Sequence, residues 1–444
     1  MSFKCLFLAI SISLVSFSAD AQEQRSPREL AANSMHRNLA IAEVLRGQLV
    51  LSLSDLVAEA LKNNPEIQVA KRKVEVARAR AGQATYLEDP EVNLEAWGIP
   101  LNRPLSFRSA NPIVLGLRQK FPFFGKLRLK GEIAGEEVNV VKEELRAKEV
   151  EIVTKVKSAY ADFFMANKSI EIQKELLELV RLVSVTADNL YRVGKAPQQD
   201  VIKALLEQTE LLNKLTWAEK DLTTSQAKLN TLLSRSPNSP VGQLSELTLT
   251  PLSLQFPDLE KLALEQRPEL RALESVINKS EKSLELARKN QKFPDFMLGL
   301  EYWVAPDQNP KNMYTPMVTM TIPFSPWTKG RHDYEIEEAV AERQMAKSNL
   351  DAMRNMALFE VKDMSAKVEA AMKSVSIYRD GLLPQAEQSF QAAIAAYQTG
   401  GVNFITLLDA QRTIRDVRMG YYKALVDYEQ SRADLERAVG KEIQ

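Results

Sequence analysis

Cysteine and histidine are nearly absent from this sequence, whose 444 residues include one Cys and two His. A His/Cys metal site or a Cys–His catalytic pair needs more such side chains than this. Charge of one sign is also lacking, because 58 Lys and Arg residues balance 58 Asp and Glu residues. No net field therefore indicates nucleic acid or an acidic partner. Gly-rich phosphate loops and nucleophile–base spacings are missing too, so we expect neither an enzyme nor a bound cofactor.

Long apolar runs are restricted to the N-terminus. Lys4 precedes the apolar stretch Leu6–Phe17, and a small-x-small cleavage site follows at Ala19-Asp20-Ala21. This pattern predicts a signal peptide over residues 1–21. Elsewhere no uninterrupted apolar run approaches the ~18 residues of a transmembrane helix. A membrane role would therefore require β-strands or a surface attachment.

The single cysteine, Cys5, lies before the apolar stretch of the predicted signal. It is not placed to become a lipidated mature N-terminus, and cleavage leaves a chain without cysteine. An exported chain that folds without disulfides fits a bacterial envelope protein and argues against a disulfide-stabilised secreted domain.

Two similar turns lie about half a chain apart. Tyr191 precedes Gly194 by three residues and Tyr397 precedes Gly400 by three, and an apolar pair follows each Gly by seven and eight residues. Gly400-Gly401 can adopt positive φ and end the incoming helix, and Asn403 is a good N-cap for the outgoing one. The pattern indicates a tandem duplication whose units meet at tight turns between long helices.

The duplication divides the mature chain into four segments. We assign residues 22–48 to a polar N-terminal arm, 49–234 to the first repeat, the proline-rich 235–256 to a linker, and 257–444 to the second repeat. Each repeat begins with a helix that a proline should end or kink. The matching positions are Asn64-Pro65 and Arg267-Pro268.

Each repeat then changes to strand periodicity. Val92, Leu94 and Ala96 alternate with polar or aromatic neighbours, and a second strand is predicted at Ile113–Phe121, giving a hairpin over residues 89–122. In the second repeat, a hairpin over residues 294–324 follows the same order. Its strands are predicted after Pro294 and at Met317–Ile322.

Very long helices follow both hairpins. The first is predicted from about Glu132 to Tyr191, and roughly 60 residues of α-helix span roughly 90 Å. Its partner, ending near Leu233, shows a heptad-like series that predicts an antiparallel coiled coil: Leu205, Leu212, Leu215, Leu222, Leu229 and Leu232. In the second repeat the first long helix is predicted from about His332 to Tyr397, with a kink at Pro384.

Four strands cannot close a barrel, and open strand edges cannot face lipid. Three chains would supply twelve strands, which lies within the range of outer-membrane barrels. Aromatic residues in or beside the strands suit the two membrane interfaces. The candidates are Trp97, Phe121, Phe123, Phe124, Tyr302, Trp303, Phe324 and Trp327. A soluble hairpin with aromatic packing is the alternative for these side chains.

Over nearly all of its mature length the chain resembles the TolC-like outer-membrane efflux proteins. The resemblance rests on the duplicated halves, the Tyr-x-x-Gly turns, Leu383-Pro384-Gln385-Ala386 and Leu407–Arg412. It implies a mainly α fold with a β-barrel insert: long coiled-coil hairpins forming a trimeric α-helical barrel, and four strands per protomer contributing to a twelve-stranded barrel. It also implies a passive homotrimeric duct in the outer membrane that extends into the periplasm. Its partners would be a periplasmic adaptor (membrane fusion) protein and an inner-membrane pump of the RND type.

The resemblance assigns roles to the two turns. The adaptor-docking residues would be Val193, Gly194, Lys195, Thr399, Gly400, Gly401 and Val402. Asp200 and Asp409 would form an acidic constriction favouring cations, with Thr406 where relatives carry an acid. Alternatively, both Asp residues place negative charge near a helix N-terminus. Tyr191 and Tyr397 would lock the turns by packing, or hydrogen-bond the closed tip; Lys195 would pair with an adaptor acid or be solvated.

The segment Phe121–Ala134 resembles the heavy-metal branch of the family and suggests metal-cation efflux. Two alternatives remain open for the function. One is an outer-membrane channel for type I protein secretion or for organic compounds and drugs. The other is a periplasmic coiled-coil tether or adaptor without a pore.

Overall fold

A computed structural model describes residues 52–102, 104, 109–242, 245–247, 249, 255–306 and 309–443. All of its elements belong to one unit, Leu51–Gln444. The helices are α1 (Leu53–Asn63), α2 (Pro65–Gln83), α3 (Lys126–Arg192), α4 (Gln198–Leu232), α5 (Phe256–Gln266), α6 (Pro268–Lys292), α7 (Lys329–Ile377), α8 (Leu383–Gln398) and α9 (Phe404–Val439). The strands are β1 (Glu91–Ala96), β2 (Ile113–Phe121), β3 (Phe296–Val304) and β4 (Asn312–Met320). The predicted signal peptide and N-terminal arm lie outside the described residues.

The predicted breaks at the two prolines are confirmed. Asn64 ends α1 and caps α2, because its side-chain oxygen accepts the N–H groups of Glu66 at 2.9 Å and Ile67 at 3.4 Å. Its amide nitrogen donates to the carbonyl of Leu232 at 2.9 Å, which ties the break to the end of α4. Arg267 occupies the equivalent position between α5 and α6.

The first long helix begins earlier than its sequence pattern indicates. It starts at Lys126, directly after Gly125 with φ +84°, and not near Glu132. Gly131 lies inside the helix, where an added Cβ would stand 2.8 Å from the Thr85 methyl carbon. The glycine therefore permits close packing and does not interrupt the helix. At about 1.5 Å per residue, the 67 residues of α3 extend roughly 100 Å.

The seam predicted for α4 is confirmed at Leu229, which is fully buried, and nearer the turn it is displaced by one position. Leu205 and Leu212 are exposed, whereas the buried positions at heptad spacing are Ala204, Leu211, Ala218 and Ser225. The packing of α4 on α3 uses small side chains, which let the two helices approach closely. Apolar residues recur at helical spacing along α9 and predict its packed face. Val417 and Tyr421 of this series are half-buried, and the others are buried: Phe404, Leu407, Ile414, Leu425, Tyr428, Leu435 and Val439.

The irregularity predicted at Pro384 is present. A π-helical segment, Tyr378–Leu382, separates α7 from α8 and ends two residues before Pro384. Proline at the start of α8 has no N–H to donate, so the wider π turn accommodates it. The main apolar cores lie along these helices, and one of them joins α5, α7 and α9 through Leu259, Val368 and Tyr428.

The four strands form one antiparallel sheet in the order β1-β2-β3-β4. β2 and β3 pair from Ile113↔Val304 to Phe121↔Phe296, so the hairpins of the two repeats are joined edge to edge. The last strand is longer and earlier than the predicted Met317–Ile322, because β4 pairs with all of β3. Among the described helices, none combines the length and apolar character needed to cross a membrane.

Candidate transport site

One face of the sheet is mainly apolar and largely exposed, with Gln119 and Asn312 as the polar side chains of its strands. The register places side chains from all four strands on this face: Val92, Leu94, Ile113, Leu115, Leu117, Leu298, Leu300, Tyr302, Val304, Tyr314, Val318 and Met320. Leu94 is 73% and Val318 71% exposed. An apolar surface of this extent is unfavourable in water and marks contact with another apolar phase or partner.

The opposite face, termed the polar face, carries every charged side chain of the four strands, interspersed with Val114, Trp303 and three methionines (Met297, Met313 and Met317). Its central side chain, Arg118, donates to Glu301 at 2.9 Å and lies 3.7 Å from Glu95. Asn93 donates to Glu95 at 2.8 Å along the same face. The sheet therefore separates two environments, and adjacent residues along each strand alternate between them.

The predicted aromatic residues fall at the two ends of the strands. Trp97 and Trp303 contact each other at the end next to the loops, with ring centroids 6.4 Å apart. Tyr302 lies at this end on the apolar face and is paired with Tyr314, which the sequence analysis did not single out. At the opposite end are Phe121, Phe123, Phe124, Phe324 and Trp327.

These aromatic side chains differ in exposure. Phe124 and Trp327 are 87% and 85% exposed. Phe123 stacks on Phe293 at 4.4 Å and so packs within the chain. Trp303 shares the polar face of the sheet, where its indole nitrogen is buried without a hydrogen-bond partner among the described residues. The interface role of the set stays a prediction.

A buried lysine joins the sheet to the helices. Lys126, 4% exposed, donates to the Phe293 carbonyl at 2.8 Å and to Asp295 at 2.9 Å. Asp295 also accepts the Phe123 N–H at 3.0 Å. Burial opposes ionisation of Asp295, but these two donors outweigh it and lower its pKa. The segment that resembles the heavy-metal branch therefore forms the junction between β2 and α3.

The two turns have the same backbone structure. Gly194 and Gly400 have φ of +73° and +77°, and each N–H donates to the Tyr carbonyl three residues earlier, at 2.9 Å and 3.1 Å. The following N–H groups also match, bonding Leu190 and Ala396 at 2.8 Å. Gly401 does not adopt positive φ. These equivalent bonds confirm the duplicated turn that the sequence predicted.

The two turn tyrosines differ in environment. Tyr191 is 43% exposed, whereas Tyr397 is 6% exposed and packs against Phe404 at 5.6 Å. The Tyr397 hydroxyl has no hydrogen-bond partner among the described residues. Burial raises the pKa of Tyr397, and the negative charge of Asp200 raises it further. The two hairpins (α3–α4 and α7–α9) meet here, because Tyr397 packs in one apolar cluster with Ala187 and Ala204.

The three candidate constriction residues lie in different surroundings. Burial raises the pKa of Asp200, and the positive charge of Lys203 partly opposes this shift. Thr406 serves the N-cap of α9, because its N–H and hydroxyl both lie 2.9 Å from the Asn403 side-chain oxygen. Asp409 is exposed one turn further along α9. Their role at a constriction stays a prediction, as does the docking role of the exposed turn residues.

A buried charge cluster, which the sequence analysis did not identify, joins the hairpins near the turns. Glu207 of α4 is fully buried and accepts from Arg412 Nε at 3.0 Å; Arg415 Nη1 lies 3.6 Å away. Hydrogen bonding to Glu207 is the main cause that raises the pKa of Arg412. A glutamate near a helical seam is the only local sign of this cluster, and its partners lie more than 200 residues away.

Acidic, His and Cys side chains do not cluster as a metal centre would require. Across the described ranges, no group of three or more such residues is arranged to hold an ion. The features that carry chemistry are therefore the two-faced sheet and the charged groups near the turns.

Comparison with known proteins finds a matching family model and several similar sequences. The family model described as "Outer membrane efflux protein" matches residues 56–235 and 259–441, one match for each repeat. The cobalt-zinc-cadmium resistance protein CzcC of Cupriavidus metallidurans is 22% identical over 393 residues, covering 88% of this chain and 90% of CzcC. The cation efflux system protein CusC of Escherichia coli K12 is 23% identical over 374 residues, covering 81% of this chain and 80% of CusC.

Solved structures share the fold. A CusC structure, described in terms of transmembrane channel formation, superimposes with a TM-score of 0.75 at 21% identity, over 88% of this chain and 92% of that one. The outer-membrane channel OprN gives a TM-score of 0.73 at 17% identity, over 87% of this chain and 89% of OprN. The long helical hairpins and the four-stranded sheet are thus a recurrent arrangement.

Proposed function

Because the chain belongs to the outer membrane efflux protein family, we propose that it is the exit duct of a tripartite efflux system. Three copies would conduct substrate passively across the outer membrane. The substrate would arrive from an inner-membrane pump of the RND type through a periplasmic adaptor. The proposed duct acts by conduction, without catalytic chemistry.

The observation that carries this proposal is the two-faced sheet. The nine residues of β3 extend about 30 Å, or about 23 Å along the membrane normal at a tilt near 40°. That height suits the apolar band of an outer-membrane barrel, about 25 Å. In one chain β1 and β4 are edge strands, whose free backbone groups cannot face lipid. Three four-stranded sheets joined edge to edge would satisfy them in a twelve-stranded barrel.

We propose metal cations as the cargo. CzcC and CusC are described as cobalt-zinc-cadmium resistance and cation efflux proteins. The charged residues on the polar face of the strands are Glu91, Glu95, Glu301, Arg118 and Lys120, so carboxylates outnumber cations. A wall of this sign favours cations over anions. The tether alternative does not account for the mainly apolar, largely exposed face of the sheet.

At the other end of the duct we propose that the turns dock the adaptor and narrow the pore. Exposed apolar side chains near the turns suit a protein partner: Val193, Ile202, Leu205, Leu206 and Ile405. Asp200 and Asp409, with Thr406 beside them, would line the constriction in three copies each. Replacing both Asp residues by Ala should reduce cation selectivity and alter single-channel conductance in planar bilayers, and unchanged values of both would contradict the constriction. Asp188→Ala, which removes a carboxylate paired with Arg192 at 2.8 Å near the same turn, is the matched control.

The membrane assignment is tested by introducing arginine on each face of the sheet. Leu300→Arg places the charge in the middle of the apolar face and should cost about 2–4 kcal/mol if that face contacts lipid. Thr315→Arg places it on the polar face of the neighbouring strand and should be tolerated. The readout is the yield of heat-modifiable trimer in outer-membrane fractions. Equal yields for the two variants would contradict the proposed orientation.

A further inference from the structure

Two glycines occupy the polar face of the sheet at adjacent positions. Gly116 of β2 pairs with Glu301, and Gly299 of β3 pairs with Arg118. Neither has positive φ, so the backbone conformation does not demand glycine at either position. Glycine within a strand weakens it and usually marks a close approach of other atoms.

The space above both glycines is filled by neighbouring side chains. A Cβ added at Gly116 would stand 2.1 Å from Asn93 Oδ1 and 2.9 Å from Asn93 Cγ. A Cβ added at Gly299 would stand 3.0 Å from Met317 Cε and 3.3 Å from Arg118 Cγ. Asn93, Met317 and Arg118 therefore lie flat across the glycines, along the surface of the sheet.

Lying flat brings Arg118 between two carboxylates. Its Nη2 is 2.9 Å from Glu301 on β3 and 3.7 Å from Glu95 on β1, and its side chain is 30% exposed. Glu95 is itself oriented by Asn93 at 2.8 Å and by the Trp97 indole at 3.0 Å. The guanidinium is thus directed along the wall, where its charge is offset.

We propose that Gly116 and Gly299 set the charge that the duct presents to its cargo. By letting Asn93 and Arg118 lie against the wall, they keep the guanidinium paired with Glu95 and Glu301. The guanidinium then does not project into the path of small hydrated cations, and the carboxylates of the wall outnumber its cations. This inference rests on the proposed function, in which the polar face lines a water-filled lumen.

The test is a local measurement of charge, so that a constriction elsewhere does not mask the result. The chain has one cysteine, Cys5, within the predicted signal, so a reporter thiol can be introduced without competing thiols. Thr315→Cys places that thiol on the polar face, paired with Glu301. The full-length protein is assembled in lipid vesicles, and the rates of reaction with a cationic and an anionic methanethiosulfonate of similar size are compared.

We expect the cationic reagent to react faster in the reporter background. Adding Arg118→Gln should raise the cation-to-anion rate ratio, and adding Glu301→Gln should lower it. Each change should be roughly threefold or more, because a unit charge a few ångströms away in water alters local ion concentration severalfold even with screening. Gly299→Val should lower the ratio by displacing Arg118 from the wall. Leu300→Val, the adjacent substitution on the opposite face, should leave it unchanged.

The possible outcomes distinguish a failure of the proposed function from a failure of the inference about the two glycines. A thiol that reacts with neither reagent would show that the polar face does not line water, which refutes the proposed function. A reactive thiol whose ratio is unaffected by Gly299→Val would overturn only the inference about the glycines, whatever the effect of Arg118→Gln and Glu301→Gln. If Gly299→Val does not assemble, Gly299→Ala takes its place: its Cβ would stand 3.3 Å from Arg118 Cγ, so it should also lower the ratio, and an unchanged ratio would overturn the inference.

Discussion

The charge cluster around Glu207 leads to a quantitative prediction about how the two hairpins are held together near the turns. Glu207 is fully buried and accepts from Arg412 at 3.0 Å, with Arg415 at 3.6 Å. Glu207→Ala would leave the Arg415 side chain, which is 10% exposed, without this carboxylate. Breaking a buried ion pair from one side costs about 3–5 kcal/mol.

The expected loss is at the lower end of that range. Asp416 lies 2.9 Å from Arg415, and Glu210 lies 3.8 Å from Arg412, so each guanidinium keeps one acidic neighbour. We therefore expect a loss of about 3 kcal/mol in the free energy of local opening between α4 and α9. At about 1.4 kcal/mol per factor of ten, amides near Glu207 should exchange with deuterium roughly 150-fold faster.

The matched control is Glu210→Ala on the same helix. Glu210 is 44% exposed and 3.8 Å from the same Arg412, so its removal should cost less than about 1 kcal/mol. Hydrogen–deuterium exchange of the trimer, resolved by peptide, compares the two variants with the parent protein. If both variants accelerate exchange equally near Arg415, a buried ionic contact between the hairpins is not what stabilises this region.

The remaining predictions concern the N-cap of α9, the Lys126–Asp295 pair between helices and sheet, and the titration of Glu429. Asn403→Ala removes the side-chain oxygen that accepts the Thr406 N–H at 2.9 Å, and it should lower the stability of the start of α9 by about 1 kcal/mol. Faster hydrogen–deuterium exchange confined to the first turn of α9 would verify this prediction. Lys126→Met should lower the dissociation temperature of the trimer, since it leaves Asp295 without its 2.9 Å partner, and an unchanged temperature would contradict this. For Glu429, burial chiefly raises the pKa above its ordinary 4.5. The stability that protonated Glu429 contributes is therefore complete below pH 4.5 and is lost as pH rises through the raised pKa. Gln stays neutral at every pH, so Glu429→Gln should raise the melting temperature at neutral pH but not below pH 4.5.

Much of the fold follows from patterns within short stretches. The Tyr-x-x-Gly turns predicted the backbone that Gly194 and Gly400 adopt, because only glycine enters positive φ without strain. Asn64-Pro65 predicted the end of α1, since proline cannot continue the hydrogen-bond ladder. The alternation of Val92, Leu94 and Ala96 along β1 predicted its apolar face, because successive strand residues point to opposite sides.

Other predictions were wrong where the local sequence allowed two different faces of a helix, or two different starts, to be chosen. Leucines at heptad spacing on α4 marked Leu205 and Leu212 as the seam, but the residues one position earlier, including Leu211, are buried. Apolar side chains lie on both sides of that helix, and only its packing on α3 selects one of them. The predicted start of α3 near Glu132 is also too late, since the helix begins at Lys126 and Gly131 lies inside it, where it leaves room for Thr85.

The amino-acid sequence by itself determined most of the elements, the turns and the two-faced strands, because these depend on residues within one or two turns of each other. It also showed the duplication, because the same local pattern occurs twice. Only the tertiary structure decided that β2 pairs with β3, that Lys126 meets Asp295, and that Glu207 meets Arg412 and Arg415. Those partners are separated by more than 150 residues, and each single side chain is ordinary in its own segment. Periodicity fixes which face of an element is apolar, but which faces meet is settled by packing the whole chain.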